Sequence, residues 1–194
     1  MLLHTFTDSS THFRASVAEA NRALLAAAGL PTSASSDEQS SAITPAADLP
    51  GWDVTTDSSH DDRLTIGDTV QFAKTISDTD VRQFAAGSGD TNPLHLDEEA
   101  ASETRFGDRI VHGLLVSGLI SAALARFPGQ IVYLSQDLAF HGPVYVGDRV
   151  SAACTIVESL GEDRYRLSTT VSNDETTVID GEAVVLVEGA AEAR

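Results

Sequence analysis

Asp90 and His95 are the residues whose types and spacing best suit chemistry, in the stretch Asp90-Thr91-Asn92-Pro93-Leu94-His95. Proline suits the first position of a helix and disfavours a helical residue before it, so the pattern predicts Asn92 as N-cap and Pro93 as the first helical residue. His95 then falls in the first turn, where the helix dipole favours a neutral imidazole. The carboxylate and the imidazole can hold a water molecule between them. The pattern also fits an Asx-turn acceptor beside a surface histidine, and both interpretations stay open.

Gly113 is a second candidate, at the start of a predicted apolar helix. A glycine there would present an unpaired backbone N–H, with no side chain in the way, at the helix end that favours negative charge. Such a group is suited to bind an oxyanion. Ser121, two turns further on, is a hydroxyl in apolar surroundings and needs a partner, although it could simply bond back to a carbonyl of its own helix.

Three stretches of different composition must position these groups. Residues 1–30 are predicted to form a helical extension, because apolar residues recur at helical spacing between His12 and Leu30. Residues 31–62 are rich in Ser, Thr, Asp, Ala and Pro and are predicted to form a polar linker, in which Trp52 docks on the domain that follows. Residues 63–194 are predicted to form a folded α+β domain.

The expected elements of that domain follow from the change in hydrophobic period along the chain. The helices are predicted from Asp78 or Asp80 to Ala86, from the Asn92 cap to about Thr104, and over Val111–Arg126. The strands are predicted at Thr69–Thr75, Ile131–Phe140, Arg149–Glu158, Arg164–Ser172 and Thr177–Glu188. An apolar helix followed by several antiparallel strands indicates a sheet wrapped around that helix.

The chain is strongly acidic, since 29 Asp and Glu against 12 Lys and Arg give a formal charge of −17. This excess argues against nucleic-acid partners and anionic membrane surfaces. Lys74 is the only lysine, and this composition resembles that of proteins from halophilic organisms. Cys154 is the only cysteine, so an internal disulfide is excluded. The sequence shows neither a signal peptide nor a membrane span, and we expect a cytoplasmic protein.

Charge is unevenly distributed along the chain. Residues 101–150 contain four acidic and four basic side chains, so the net charge resides elsewhere. An anionic ligand could approach this neutral block, although its apolar content alone would also reduce its charge. The candidates for binding such a ligand are Arg105, Arg109 and Arg126.

The stretch from about Ile66 to Val157 resembles the MaoC-like dehydratases and, within them, the (R)-specific enoyl-CoA hydratases. Three motifs carry the resemblance, in the family's order and spacing: Gly89-Asp90-Thr91-Asn92-Pro93-Leu94-His95-Leu96-Asp97, Ile110-Val111-His112-Gly113, and Phe140-His141-Gly142-Pro143-Val144-Tyr145-Val146-Gly147-Asp148. The resemblance implies a hot-dog fold, in which an antiparallel sheet wraps a long central helix. It also implies a homodimer or higher homo-oligomer with its sites near the interface.

The resemblance further implies roles for individual residues. Asp90 and His95 would be catalytic, and Gly113 would give its amide to the thioester oxygen. Asn92 would fix the loop, and Ser121 would hydrogen-bond the aspartate. The implied reaction is the reversible syn hydration of a trans-2-enoyl-CoA to the (R)-3-hydroxyacyl-CoA, which could supply polyhydroxyalkanoate synthesis or fatty-acid metabolism.

The implied reaction requires neither a metal nor a cofactor, and the remaining histidines are expected to be scattered rather than clustered as ligands. Three alternatives stay open. The first is a hydratase for a branched or dicarboxylic enoyl-CoA, the second a hot-dog thioesterase, and the third a non-catalytic acyl-binding module. Residues 1 to about 60 exceed the family's minimal domain, and their role is not indicated by the sequence.

Overall fold

The computed structural model describes residue 44 and residues 47–58, 64–174 and 176–188. The helical extension expected over residues 1–30 lies outside the described residues. The strands within the described residues are β1 (Asp53–Asp57), β2 (Thr69–Thr75), β3 (Gln130–Phe140), β4 (Arg149–Gly161), β5 (Arg164–Asn173) and β6 (Thr176–Glu188). The helices in the same part of the chain are α1 (Asp78–Ser88), α2 (Pro93–Leu96), α3 (Glu98–Ser102) and α4 (Gly113–Leu124).

The six strands form one antiparallel sheet in the order β1-β2-β4-β5-β6-β3. Burial alternates along its central strands, so that Val150, Ala152, Cys154 and Ile156 of β4 all point to the core. This period of two gives the sheet one apolar face. Helix α4 packs on that face against β2, β4 and β5. The hot-dog arrangement of a sheet around a central helix is therefore confirmed.

Local sequence signals explain where the helices begin and end. Ser77 caps α1 through a capping box with Asp80, and Gly89 ends the helix in the left-handed conformation at φ 79°. Helix α4 is shorter than expected, because it starts at Gly113 and ends at Leu124. None of the described helices is long and apolar enough to cross a lipid bilayer.

The segment predicted as a polar linker contains strand β1, which pairs with β2 at one edge of the sheet. The linker prediction is wrong over this part of the segment. All five residues of β1 are exposed, so the strand has no alternating pattern by which the sequence could reveal it. The predicted docking of Trp52 is confirmed, since its ring lies 5.3 Å from that of Phe72 in an edge-to-face arrangement.

Candidate active site

The loop between α1 and α2 carries the predicted carboxylate, and the first turn of α2 carries the predicted imidazole. As expected, Asn92 is the N-cap of α2, where its Oδ1 accepts a hydrogen bond from the Leu94 amide at 3.0 Å, and Pro93 is the first helical residue. Asp90 is exposed, and its Oδ1 accepts from the Asn92 amide at 3.3 Å. Asp90 thus stays accessible on a loop whose end is fixed by the cap.

His95 is the third residue of α2 and only 8% exposed. Its Nδ1 lies 2.8 Å from the Ile110 carbonyl oxygen. Because a carbonyl oxygen can only accept, Nδ1 carries the proton and Nε2 is left as the acceptor. Helix α2 is a single turn, so its dipole is small. The hydrogen bond to Ile110 therefore orients the ring and leaves Nε2 free to accept a hydrogen bond.

His112 joins this pair, which sequence analysis did not foresee. Its ring stacks on that of His95 with centroids 3.9 Å apart, and its Nε2 lies 3.0 Å from the Asp90 carbonyl oxygen. One carboxylate oxygen of Asp90 and one ring nitrogen of each histidine all lie within 4.8 Å of one another. The expectation that the remaining histidines are scattered is therefore wrong for His112. The signal for it was its position at the start of an apolar helix, where a buried imidazole must find a polar partner.

Within the described residues, the three side chains of this cluster are also the group that could hold a metal ion. One carboxylate and two imidazoles suit a divalent transition metal. Each imidazole already uses one nitrogen, Nδ1 of His95 and Nε2 of His112, on a backbone carbonyl. Only the other nitrogen of each ring would remain for an ion.

Gly113 is the first residue of α4, so its amide is among those that a helix leaves without an intrahelical partner. A Cβ added at this position would lie 2.8 Å from Cε1 of Phe140. The absence of a side chain therefore lets the Phe140 ring cover the Cα of Gly113. This arrangement leaves a backbone donor at the wall of a cavity.

A cavity of about 280 Å³ extends from His95 and Gly113. Its walls are mostly apolar and include Phe106, Ile110, Val116, Phe140, Val144 and Ile179. His141 also lines it and hydrogen-bonds Asp180, at 2.8 Å between Nε2 and Oδ1. Sequence analysis had assigned no role to this pair, whose members are 39 residues apart. The cavity can accept an apolar chain that ends beside the polar cluster.

The three arginines proposed for an anionic ligand lie in different places. Arg105 lines the cavity, with its guanidinium 4.7 Å from the Phe106 ring centroid. Arg109 is buried, and its Nη1 donates to Asp78 at 2.7 Å, which links α1 to the segment before α4. Of these two, Arg105 is the one placed to meet a ligand.

Arg126 is also engaged within the fold. Its guanidinium lies over the rings of Trp52 and Phe72, at 5.5 and 4.5 Å from their centroids, and its Nη1 donates to the Ala122 carbonyl at 2.8 Å. Ser121 lies on the exposed side of α4. Within the described residues, no hydrogen bond joins its hydroxyl to Asp90.

Electrostatics around α1 stabilise the elements that support the cluster. Hydrogen bonds from Arg82 and Arg109 lower the pKa of the Asp78 carboxyl. Burial raises the pKa of Asp80, but hydrogen bonds from Lys74 and Ser77 outweigh it, so that this pKa is also lowered. Both carboxylates are therefore ionised where they hold α1 against the sheet and Arg109.

Fold and site together define a hot-dog protein with an Asp–His pair and a helix N-terminus at the end of an apolar cavity. Residues 62–179 match the family model described as MaoC like domain. The chain therefore belongs to the MaoC-like domain family. Family membership places it among the hydratases and dehydratases, which are hydro-lyases.

Individual relatives agree with this assignment. The chain is 47% identical to the 3-hydroxybutyryl-CoA dehydratase of Methylorubrum extorquens over 127 residues, which are 64% of this chain and 81% of that protein. It is 43% identical to the (R)-specific enoyl-CoA hydratase of Rhodospirillum rubrum, over 62% of this chain and 86% of that protein. Among solved structures, the (R)-hydratase from Aeromonas caviae involved in PHA biosynthesis matches with a TM-score of 0.62 and 35% identity, covering 64% of this chain and 97% of that one.

Proposed function

We propose that the protein is an (R)-specific enoyl-CoA hydratase, which reversibly adds water to a trans-2-enoyl-CoA to give the (R)-3-hydroxyacyl-CoA. The observation that carries the proposal is the approach of the Asp90 carboxylate and a ring nitrogen of His95 to within 4.8 Å of each other. The (R)-specific hydratases among the relatives support the choice of substrate class.

The proposed mechanism assigns one task to each group. The Gly113 amide donates to the thioester oxygen, which makes C3 of the enoyl chain electrophilic. Water donates its two O–H groups to the Asp90 carboxylate and to Nε2 of His95, so that its oxygen faces C3. The Cys154 thiol takes no part, because it is buried in the core and burial raises its pKa to about 12.

Protons and bonds balance in this scheme. As the bond from oxygen to C3 forms, Asp90 takes one proton of the water and the other stays on the new hydroxyl. The proton on Asp90 passes to the free Nε2 of His95, which delivers it to C2, so that both groups end in the protonation states in which they began. Because both groups act from one side of the acyl chain, the addition is syn. Water is the only co-substrate, so the proposed reaction needs no cofactor.

The proposed substrate is held by the cavity and its rim. The apolar walls take the acyl chain, and Arg105 contacts a phosphate of coenzyme A. A dicarboxylic enoyl-CoA would instead place its second carboxylate within reach of Arg105. Supply of (R)-3-hydroxyacyl-CoA to polyhydroxyalkanoate synthesis is the pathway that we propose, after the named role of the Aeromonas caviae relative.

We also propose that the protein acts as a homodimer. Strand β3 is an edge of the sheet and exposes four large apolar side chains, namely Val132, Tyr133, Leu134 and Phe140. An unpaired edge with such side chains is suited to pair with a second copy. Phe140 also covers Gly113, so the pairing would place each site beside the interface. Light scattering on the purified protein should give twice the mass of the chain.

One assay separates the competing activities. Crotonyl-CoA is incubated with the protein while the enoyl absorbance and free thiol are followed together. Loss of the enoyl band without thiol release supports the hydratase, thiol release indicates a thioesterase, and the absence of both indicates a binding module. Resistance of the product to an (S)-specific 3-hydroxyacyl-CoA dehydrogenase tests the stereochemistry.

The assignment of the pair is tested by substitution. Asp90→Asn and His95→Gln are each expected to lower kcat by about 100-fold or more while the protein stays folded. Asp163→Asn is the matched control, because this turn residue has a φ of 54° that asparagine also tolerates. Near-normal activity of either site variant would overturn the assignment.

A further inference from the structure

His112 lies beside Asp90, His95 and Gly113. Its Nε2 hydrogen-bonds the backbone carbonyl of Asp90, and one face of its ring stacks on His95. The ring of Phe84 lies 4.9 Å away, and the His112 backbone forms the N-cap from which Gly113 starts α4. A single side chain, only 2% exposed, therefore touches or adjoins all three groups to which the reaction is assigned.

Asp90 has few other restraints. Its amide donates to Ser88 Oγ at 3.2 Å and its carboxylate accepts from the Asn92 amide, and both hydrogen bonds are exposed. The hydrogen bond from His112 is partly buried, so it is the best shielded from water of the three. Gly89 fixes the start of the loop through its N–H to the Ala85 carbonyl, and the hydrogen bond from His112 then ties Asp90 to the start of α4.

The position of His112 favours an apolar side chain on packing grounds. Because Nε2 faces a carbonyl oxygen, it carries the hydrogen, and Nδ1 is left as an acceptor. Within the described residues this buried Nδ1 has no hydrogen-bond partner. An orphaned buried acceptor costs free energy that a phenylalanine of similar shape would avoid. An imidazole at this position is therefore explained by the hydrogen bond that its Nε2–H donates to the Asp90 carbonyl oxygen.

We infer that His112 is a positioning residue for the hydration step. Its Nε2–H fixes the backbone of Asp90, and its ring face fixes the plane of His95, whose Nδ1 is already held by Ile110. Together these contacts aim the Asp90 carboxylate and the free Nε2 of His95 at one water molecule. This inference rests on the proposed roles of Asp90 and His95.

Two substitutions distinguish the contribution of the His112 N–H to kcat from the contribution of its aromatic ring. His112→Phe keeps an aromatic face and removes the donor, and we expect kcat to fall 10- to 100-fold with KM changed by less than about 3-fold. His112→Gln places an amide N–H near the position of Nε2 and should recover part of that loss. Val171→Ala, a buried change in β5, serves as the control for a general loss of stability.

A double-mutant cycle identifies the group through which His112 acts. If it acts by placing Asp90, His112→Phe should cost little further in the Asp90→Asn background. An equal fold-loss in both backgrounds, or full activity of folded His112→Phe, would overturn the inference. If His112→Phe does not fold, His112→Leu, which also lacks the N–H donor, takes its place in the cycle, with the same criteria. Full activity of Asp90→Asn would instead refute the proposed function itself, so the two failures are distinguishable.

Discussion

The contact between β3 and β6 at Gly181 gives a sharp prediction about stability. Gly181 pairs with Leu138, and a Cβ built on it would overlap the Asp137 carbonyl oxygen and lie 3.2 Å from the Cα of Leu138. Both atoms belong to the backbone, so no side-chain rotation can relieve the overlap. Gly181→Ala is therefore expected to force the two strands apart.

The size of the effect follows from this geometry. Ordinary contact of a Cβ begins at 3.4 Å, so the backbone of β3 or β6 must shift at this point. Among the described strands β3 pairs only with β6, so separation breaks the ladder that holds β3 in the sheet of its own chain. Strain of this kind costs about 3 kcal/mol or more. The displaced segment leads to Phe140 and His141 in the cavity wall, so kcat/KM should fall as well.

Denaturant unfolding of Gly181→Ala and of Gly142→Ala provides the measurement. Gly142 is the matched control, because a Cβ there meets only Val178 Cγ1 at the ordinary distance of 3.8 Å. We expect the free energy of unfolding to drop by about 3 kcal/mol for Gly181→Ala and by less than about 1 kcal/mol for the control. Equal values for the two variants would refute the argument from backbone contact.

Three further predictions concern charge. Asp78→Asn should lower the free energy of unfolding by about 1 kcal/mol near neutral pH, allowing for solvent screening, because the buried Arg109 loses its 2.7 Å partner. The lowered pKa of Asp78 means that its stabilisation is fully present above about pH 4 and is lost as the pH falls through the folded-state pKa, so the difference in unfolding free energy between variant and wild type should shrink as the pH is lowered below about 4. Arg105→Ala should raise KM for crotonyl-CoA by about 3- to 10-fold with kcat unchanged. The control Arg164→Ala, at an exposed arginine, should leave both constants unchanged. Equal effects of the two substitutions would contradict the proposed contact between Arg105 and a CoA phosphate. Activity and melting temperature should both rise with salt, because the screening length shortens from about 30 Å at 0.01 M to about 3 Å at 1 M, and a flat profile would contradict the repulsion expected from a charge of −17.

Local patterns predicted most of the fold. Strand β2 has the bounds predicted from its sequence pattern, and the bounds of the other long strands agree with the predicted ones within a few residues. Asn92 and Pro93 located the start of α2 because a cap and a first-turn proline act within one turn. The strand β1 was missed since both of its faces are exposed, and pairing with β2, rather than burial, holds it.

The sequence by itself determined the alternating strands, the apolar helix, and the motif that brings Asp90 and His95 together at the start of α2. The tertiary structure decided which other groups meet them. His112 lies 22 residues from Asp90 in the chain, and Arg109 lies 31 residues from Asp78. Hydrophobic period and capping act over a few residues, whereas contacts across such separations depend on how the sheet and α4 pack. For this reason Arg109 was a ligand candidate by charge and is, in the folded protein, a buried partner of Asp78.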